Sequence, residues 1–79
     1  MATTETRKRV RDRSWLEKAR RLKGKSQSEV AEVAGCSEVF YNRIEKGLQL
    51  PNVDLAIRIT DFLDCDIHSF ISEKILGDN

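Results

Sequence analysis

Residues 26–47 read SQSEVAEVAGCSEVFYNRIEKG, two short runs of helical periodicity separated only by Gly35, Cys36 and Ser37. Ser26 with Glu29 three residues on has the form of a capping box, so a helix opens there. Val30, Ala31 and Ala34 are its apolar positions. Gly35 supplies the positive φ that ends it, and Ser37 caps a further helix in which Val39, Phe40, Tyr41 and Ile44 are apolar or aromatic before Gly47 stops it. Helices of about eight residues are unstable alone. Such a pair must lean on other helices.

The flanking sequence supplies them. Upstream, Trp15, Leu16, Ala19 and Leu22 share one face of a helix that starts near Arg13 or Ser14 and stops at Gly24. Downstream of Pro51, Asn52 caps a fourth helix over Val53–Leu63, and a fifth is expected from about Ile67 to Leu76. No stretch alternates with the period of two of a half-buried strand. The 79 residues therefore read as one compact, all-α, five-helix domain over residues 13–79, preceded by a flexible basic arm over residues 1–12. The second and third helices form a helix-turn-helix, whose sharp turn lets one helix protrude while the other braces it. A protruding helix fits the major groove of B-DNA.

Composition narrows the function classes. Hydrophobic residues make up 39% and charged residues 34%, which suits a globular domain. No apolar run approaches the ~20 residues needed to span a bilayer, and the N-terminus has no secretory signal, so no membrane is involved and a cytoplasmic location is expected. Cys36 and Cys65 stand far apart with no CxxC, and His68, the single histidine, has no metal-ligand spacing around it, so both thiols are expected reduced and no metal or cofactor is implied. No Ser-His-Asp or Cys-His pairing and no Gly-rich phosphate loop is present, which argues against an enzyme. Charge is segregated: Met1–Lys25 holds ten Lys/Arg and three Asp/Glu, net +7, and the remainder four and ten, net −6. The basic block containing Arg7, Lys8, Arg9, Arg11 and Arg13 suits contact with a polyanion or a solvated tail.

The stretch at 26–47, followed by QLPNVDLAIRITDFLD, resembles the lambda-repressor-like (Cro/cI-type, or Xre-type) DNA-binding domain over roughly Leu16–Phe70. Ser26-Gln27, the Ala31–Gly35 spacing, Ser37, Arg43-Ile44-Glu45, Gly47 and Pro51 fall in register together. The resemblance implies that Gln27 anchors a phosphate and supports the recognition helix, and that Glu38, Val39 and Phe40, with Asn42 and Arg43 one turn later, stand where base or phosphate contacts are made. Lys46, Gln49 and Asn52 match phosphate-contact positions in the following loop. Tyr41 and Ile44 match core positions, and Arg20 and Glu45 match an internal ion pair between the first and third helices.

Three positions depart from the pattern. Glu38 puts an acid where Gln, Arg or Ser is frequent; it can accept from cytosine N4 or favour the helix N-terminus. Lys25 replaces an apolar residue, and Asp64 replaces a glycine after the fourth helix. Phe40 can press on a thymine methyl or pack against the loop leading to the fourth helix, and packing is favoured. Val53, Leu55, Ala56, Ile57, Ile59, Phe62 and Leu63 cover more than half the circumference of the fourth helix, so it is either wedged between neighbours or shared with a second chain together with Ile67, Phe70, Ile71 and Ile75. The expected function is a sequence-specific, double-stranded DNA-binding transcriptional regulator, a repressor acting as a homodimer on a palindromic operator, with the arm either wrapping the duplex or entering its minor groove, or else remaining a solvated tail. The alternative is a protein-interaction module on the same scaffold, such as an antitoxin-like or transcription-machinery-binding protein, favoured by the acidic remainder and by Glu38.

Overall fold

Local capping chemistry starts three of the helices. Ser26 Oγ accepts the backbone N–H of Glu29 at 3.0 Å while Glu29 Oε1 accepts that of Ser26 at 2.8 Å, opening α2 (Gln27–Ala34). The helix α1 (Ser14–Leu22) precedes it. Ser37 Oγ accepts from Phe40 N–H at 3.0 Å to begin α3 (Glu38–Glu45), and Asn52 Oδ1 from Leu55 N–H at 2.8 Å to begin α4 (Val53–Leu63). Each cap satisfies a backbone donor that the first turn of a helix leaves unpaired. The structure, a computed structural model, describes residues 10–73 and 75–76.

The core forms where α1 to α4 meet. Leu16, Val30, Ala31, Ala34, Tyr41, Ile44, Ile59 and Leu63 are buried together, with Trp15, Ala19, Phe40, Leu55, Phe62 and Phe70 packed around them. Leu22 departs from the expected apolar face of α1. It is 80% exposed, because the last turn of α1 runs past the core before the chain turns at Gly24. On α4, Ala56, Ile59 and Leu63 face inward, whereas Val53 and Ile57 are exposed. The helix is thus wedged on one side and open on another.

The C-terminal end differs most from expectation. The fifth helix, α5, covers only His68–Ile71 rather than reaching Leu76. Asp66 Oδ1 accepts from the backbone N–H of His68 at 3.0 Å at its start. Beyond it, Glu73 turns back to pair with Arg13, and a short strand β2 (Ile75–Leu76) pairs antiparallel with β1 (Val10–Arg11), Val10 opposite Leu76 and Arg11 opposite Ile75. A two-residue ladder has no alternation to detect. It is an attachment to an all-α fold, and it corrects the expected free arm at its inner end: residues 10 and 11 are paired, while residues 1–9 lie outside the described region.

Two glycines carry the turns on either side of α3. Gly35, at φ +84°, closes α2; a Cβ there would meet only the tip of the Arg58 side chain, at 3.2 Å. Gly47, at φ +81°, lies so close to the N-terminal segment that a Cβ would stand 2.0 Å from the Arg11 carbonyl oxygen. Asp64 ends α4 at φ +57°, a conformation that Asp tolerates better than most side chains. Urea unfolding should show Gly35→Ala costing about 1–2 kcal/mol, the ordinary penalty for a left-handed residue. Gly47→Ala should cost distinctly more, since backbone must move; equal losses would mean that the Arg11 approach is loose.

Candidate nucleic-acid interface

The exposed side of the helix-turn-helix is assembled from the start of α2 and the outer face of α3. Glu38, Val39 and Arg43 are exposed on α3, Val39 to 71%, and Lys46 is exposed immediately after it. Gln27, Glu38, Val39 and Asn42 line a shallow hollow of about 240 Å³ between the two helices. Arg43 and Lys46 form no ion pair among the described residues, so both cations stand available on this face. Glu38 in the first turn of α3 interacts favourably with the helix dipole.

Behind that face lies one buried carboxylate. Glu45 Oε1 accepts from Arg20 Nη2 at 3.1 Å and from Gln27 Nε2 at 2.7 Å; Oε2 accepts from Arg20 Nε at 2.7 Å and from Tyr41 Oη at 2.9 Å. Four donors on two oxygens fill the acceptor capacity of a carboxylate. The donors come from α1, α2 and α3 itself. Burial pushes the Glu45 carboxyl up, but the hydrogen bonds from Arg20, Gln27 and Tyr41 outweigh it and leave its pKa below the usual range. Burial, then the adjacent Glu45 charge, raises the Tyr41 phenol, which stays protonated as a donor.

Gln27 extends this network outward. Its Oε1 accepts from Asn42 Nδ2 at 3.1 Å while its Nε2 donates to Glu45, so the side chain bridges the start of α2 to the last two turns of α3. Gln27 and Asn42 are consequently half-buried and committed to each other. What Gln27 still presents outward is the start of α2, where first-turn backbone N–H groups have no intrahelical acceptor. The family resemblance implied that Gln27 supports the recognition helix, but not its partners, because nothing local links position 27 to position 42 or 45.

The remaining expected residues separate into outward and inward groups. Phe40 is half-buried and packs, as favoured, but against the core cluster. Gln49 is half-buried; its carbonyl accepts from Arg13 and its own Nε2 donates to the Leu50 carbonyl at 3.3 Å. Asn52 is exposed, with its oxygen occupied in capping α4. Arg13 does not belong to a free arm: it is buried at 2% exposure, pairs with Glu73 and donates to the carbonyls of Ile44 at 2.5 Å and Gln49 at 3.1 Å. Arg11 is half-buried, with Nε 3.7 Å from Glu73 and its backbone N–H on the Gly47 carbonyl at 3.2 Å. Arg7, Lys8 and Arg9 lie outside the described residues. Sequence reasoning missed Glu73, which lies 60 positions from its partner. Lys25 places its ammonium 5.4 Å from the centre of the Phe62 ring, so its charged head covers an apolar surface where an apolar residue is usual.

Among the described residues no cluster of His, Cys, Asp and Glu could hold a metal, and no helix is long and apolar enough to cross a membrane. Cys36 and Cys65 are both free, and burial raises both thiols.

Comparison with known proteins gives a consistent set of likenesses. A helix-turn-helix family model matches residues 16–70. The chain is 33% identical over 60 residues to the HTH-type transcriptional regulator SinR of Bacillus subtilis, covering 75% of this chain and 54% of SinR, and thus spans about half the length of that relative. It is 36% identical over 61 residues to the uncharacterized HTH-type transcriptional regulator YqaF of the same species, covering 77% of this chain and 80% of YqaF. Among solved structures it resembles the N-terminal DNA binding domain of SinR from Bacillus subtilis, with a TM-score of 0.66 at 32% identity, over 78% of this chain and 91% of that one.

The Glu45 network sets two expectations. Glu45→Ala, which strands the Arg20 charge, should cost about 3–5 kcal/mol in urea unfolding at neutral pH, and Tyr41→Phe about 1.5–3 kcal/mol. Because the folded carboxyl has a lowered pKa, its contribution is full above the unfolded value and is lost as pH falls through the folded one. Urea midpoints of the wild-type chain should therefore fall on acidification from about pH 5, and those of Glu45→Gln should fall less; parallel curves would remove Glu45 from the acid response.

Proposed function

The chain belongs to the helix-turn-helix family, and we propose that it is a sequence-specific transcriptional regulator, acting as a repressor in the cytoplasm, that binds double-stranded DNA with α3 in the major groove. The observation that carries this reading is the exposed face of Glu38, Val39, Arg43 and Lys46, held from behind by the Glu45 network. A helix with its side chains is about 10–12 Å across, and the major groove is about 12 Å wide. The names carried by SinR and YqaF, and the DNA binding domain that this fold matches, support the same assignment.

Roles follow from position. Arg43 reaches guanine O6 and N7 in bidentate fashion, Val39 meets a thymine methyl, and Glu38 accepts from cytosine N4. Lys46 and the first-turn amides of α2 at Gln27 bind phosphates and set the register. Asn42 and Gln49 act chiefly as supports, given their internal hydrogen bonds. Arg7, Lys8 and Arg9 add phosphate or minor-groove contacts, entering beside Val10, which shares one cleft with Lys46. The role is binding, without catalysis or cofactor.

A two-fold homodimer on a palindromic operator completes the proposal. Leu50, Val53 and Ile71 are exposed around an apolar groove of about 240 Å³ that Pro51, Ala56, Ile67 and Phe70 also line, and Ile57 is exposed on the same helix as Val53. Covering that surface by a second copy brings two α3 helices to successive major grooves about 34 Å apart. The same groove favours the second reading, a protein-interaction module in which another protein covers it.

Selection of the purified chain against random duplex DNA decides between the two. Recovery of a palindrome is expected, with Arg43→Ala losing about 1–3 kcal/mol and relaxing one position of each half-site, and Lys46→Ala weakening all sequences while reducing the salt slope by about 1. No recovered motif, with weak salt-sensitive association only, would transfer the function to the protein-partner reading. Sedimentation of a monomer both alone and on the selected duplex would remove the dimer.

A further inference from the structure

Arg13 ties together segments that are far apart in the chain. Its Nε pairs with Glu73, its Nη1 donates to the carbonyls of Ile44 in the last turn of α3 and Gln49 beyond it, and its guanidinium lies 5.0 Å from the centre of the Phe70 ring of α5. The carbonyls at the end of a helix lack intrahelical donors, and Arg13 supplies one to Ile44. Two further ties run alongside: the Arg11 N–H on the Gly47 carbonyl at 3.2 Å, and the β1–β2 pairing. The close approach of Gly47 to the Arg11 carbonyl leaves no room for the turn to shift toward the N-terminal segment.

We propose that Arg13 and Glu73 are positioning residues for DNA binding: the two ends of the domain close as a clasp that fixes the exit of α3, the turn from Lys46 to Gln49, and the point at which the basic N-terminal residues join the domain. This rests on the DNA-binding reading above and adds a control point to it. A buried ion pair gains little stability over apolar side chains of similar volume, so orientation is what it supplies best. The orientation it fixes is the one DNA binding uses. Val10 and Arg11 line a cleft of about 560 Å³ together with Arg21, Gln27 and Lys46, so the clasp sets the start of the basic arm next to the phosphate-facing end of α3. The C-terminal segment, which itself carries no residue of the α3 face, thereby governs affinity.

Glu73→Gln gives a test in which simple charge and clasp predict opposite signs. Removing an acidic charge raises the net positive charge and by itself tightens binding to a polyanion. Loss of the clasp weakens it. For the full chain, measured well below each variant's melting point on the selected duplex, Glu73→Gln is expected to lower affinity about tenfold and to reduce the salt slope by about 1. The amide of Arg11 should exchange faster while the α2 amides keep their protection. Arg13→Met combined with Glu73→Leu, an apolar replacement of the pair, should restore much of the melting temperature without restoring affinity. Affinity unchanged or tightened by Glu73→Gln, or restored by the apolar pair in step with stability, would overturn the proposal and leave a purely structural contact. Failure of the parent reading looks different, since the wild-type chain would then select no duplex at all, and Arg11 exchange would still report whether the clasp forms.

Discussion

The presentation of α3 depends on the placement of one carboxylate, Glu45. Withdrawing a charge from water costs several kcal/mol unless its oxygens are filled. Here they are filled by Arg20 from α1, Gln27 from α2 and Tyr41 from α3. A short helix has little stability of its own, so its direction is set by what it touches. Glu45 sits at the end of α3, Asn42 one turn earlier, and both lead back to Gln27. The inner face of the helix is therefore fixed by polar geometry as well as by the packing of Tyr41 and Ile44. That leaves Glu38, Val39 and Arg43 exposed on the opposite face.

Charge along the chain acquires a different meaning once folded. Part of the basic surplus of the first 25 residues meets acids once the chain folds: Arg13 is buried against Glu73 and Arg20 against Glu45, while at the surface Arg21 pairs with Glu17 at 2.7 Å and Lys23 pairs with Asp64. The acidic remainder is likewise drawn into these contacts, since three of the four partners come from it. A negative sum from Ser26 onward is thus compatible with a cationic α3 edge, where Arg43 and Lys46 have no acidic partner among the described residues. Sequence halves are poor proxies for surfaces in a domain whose ends meet.

The parts of this fold legible in the sequence are those fixed by neighbours in the chain. Ser26 with Glu29, Ser37 and Asn52 announce helix starts because a cap acts over three residues, and Gly35 announces a stop because a left-handed residue is needed there. Residues whose placement depends on distant partners were not legible in the same way. The internal role of Arg13, whose partners Ile44, Gln49 and Glu73 lie 31, 36 and 60 positions away, and the β1–β2 pairing both arise from such distant contacts. The Arg20–Glu45 pairing entered only through the family resemblance, since spacing alone gives no reason to join them. Gln27 was expected, from the resemblance, both to anchor a phosphate and to support the recognition helix; its half-buried position between Asn42 and Glu45 gives the partners of the second role.

The proposed DNA contact is the α3 face that Glu45 holds from behind. Titration of the isotope-labelled chain with its selected duplex, followed by backbone amide shifts, tests it most directly. The largest changes are expected at Ser26–Gln27, Glu38–Arg43 and Lys46–Gln49. Changes centred instead on Val53, Ile57 and Ile71, with α3 undisturbed, would contradict it.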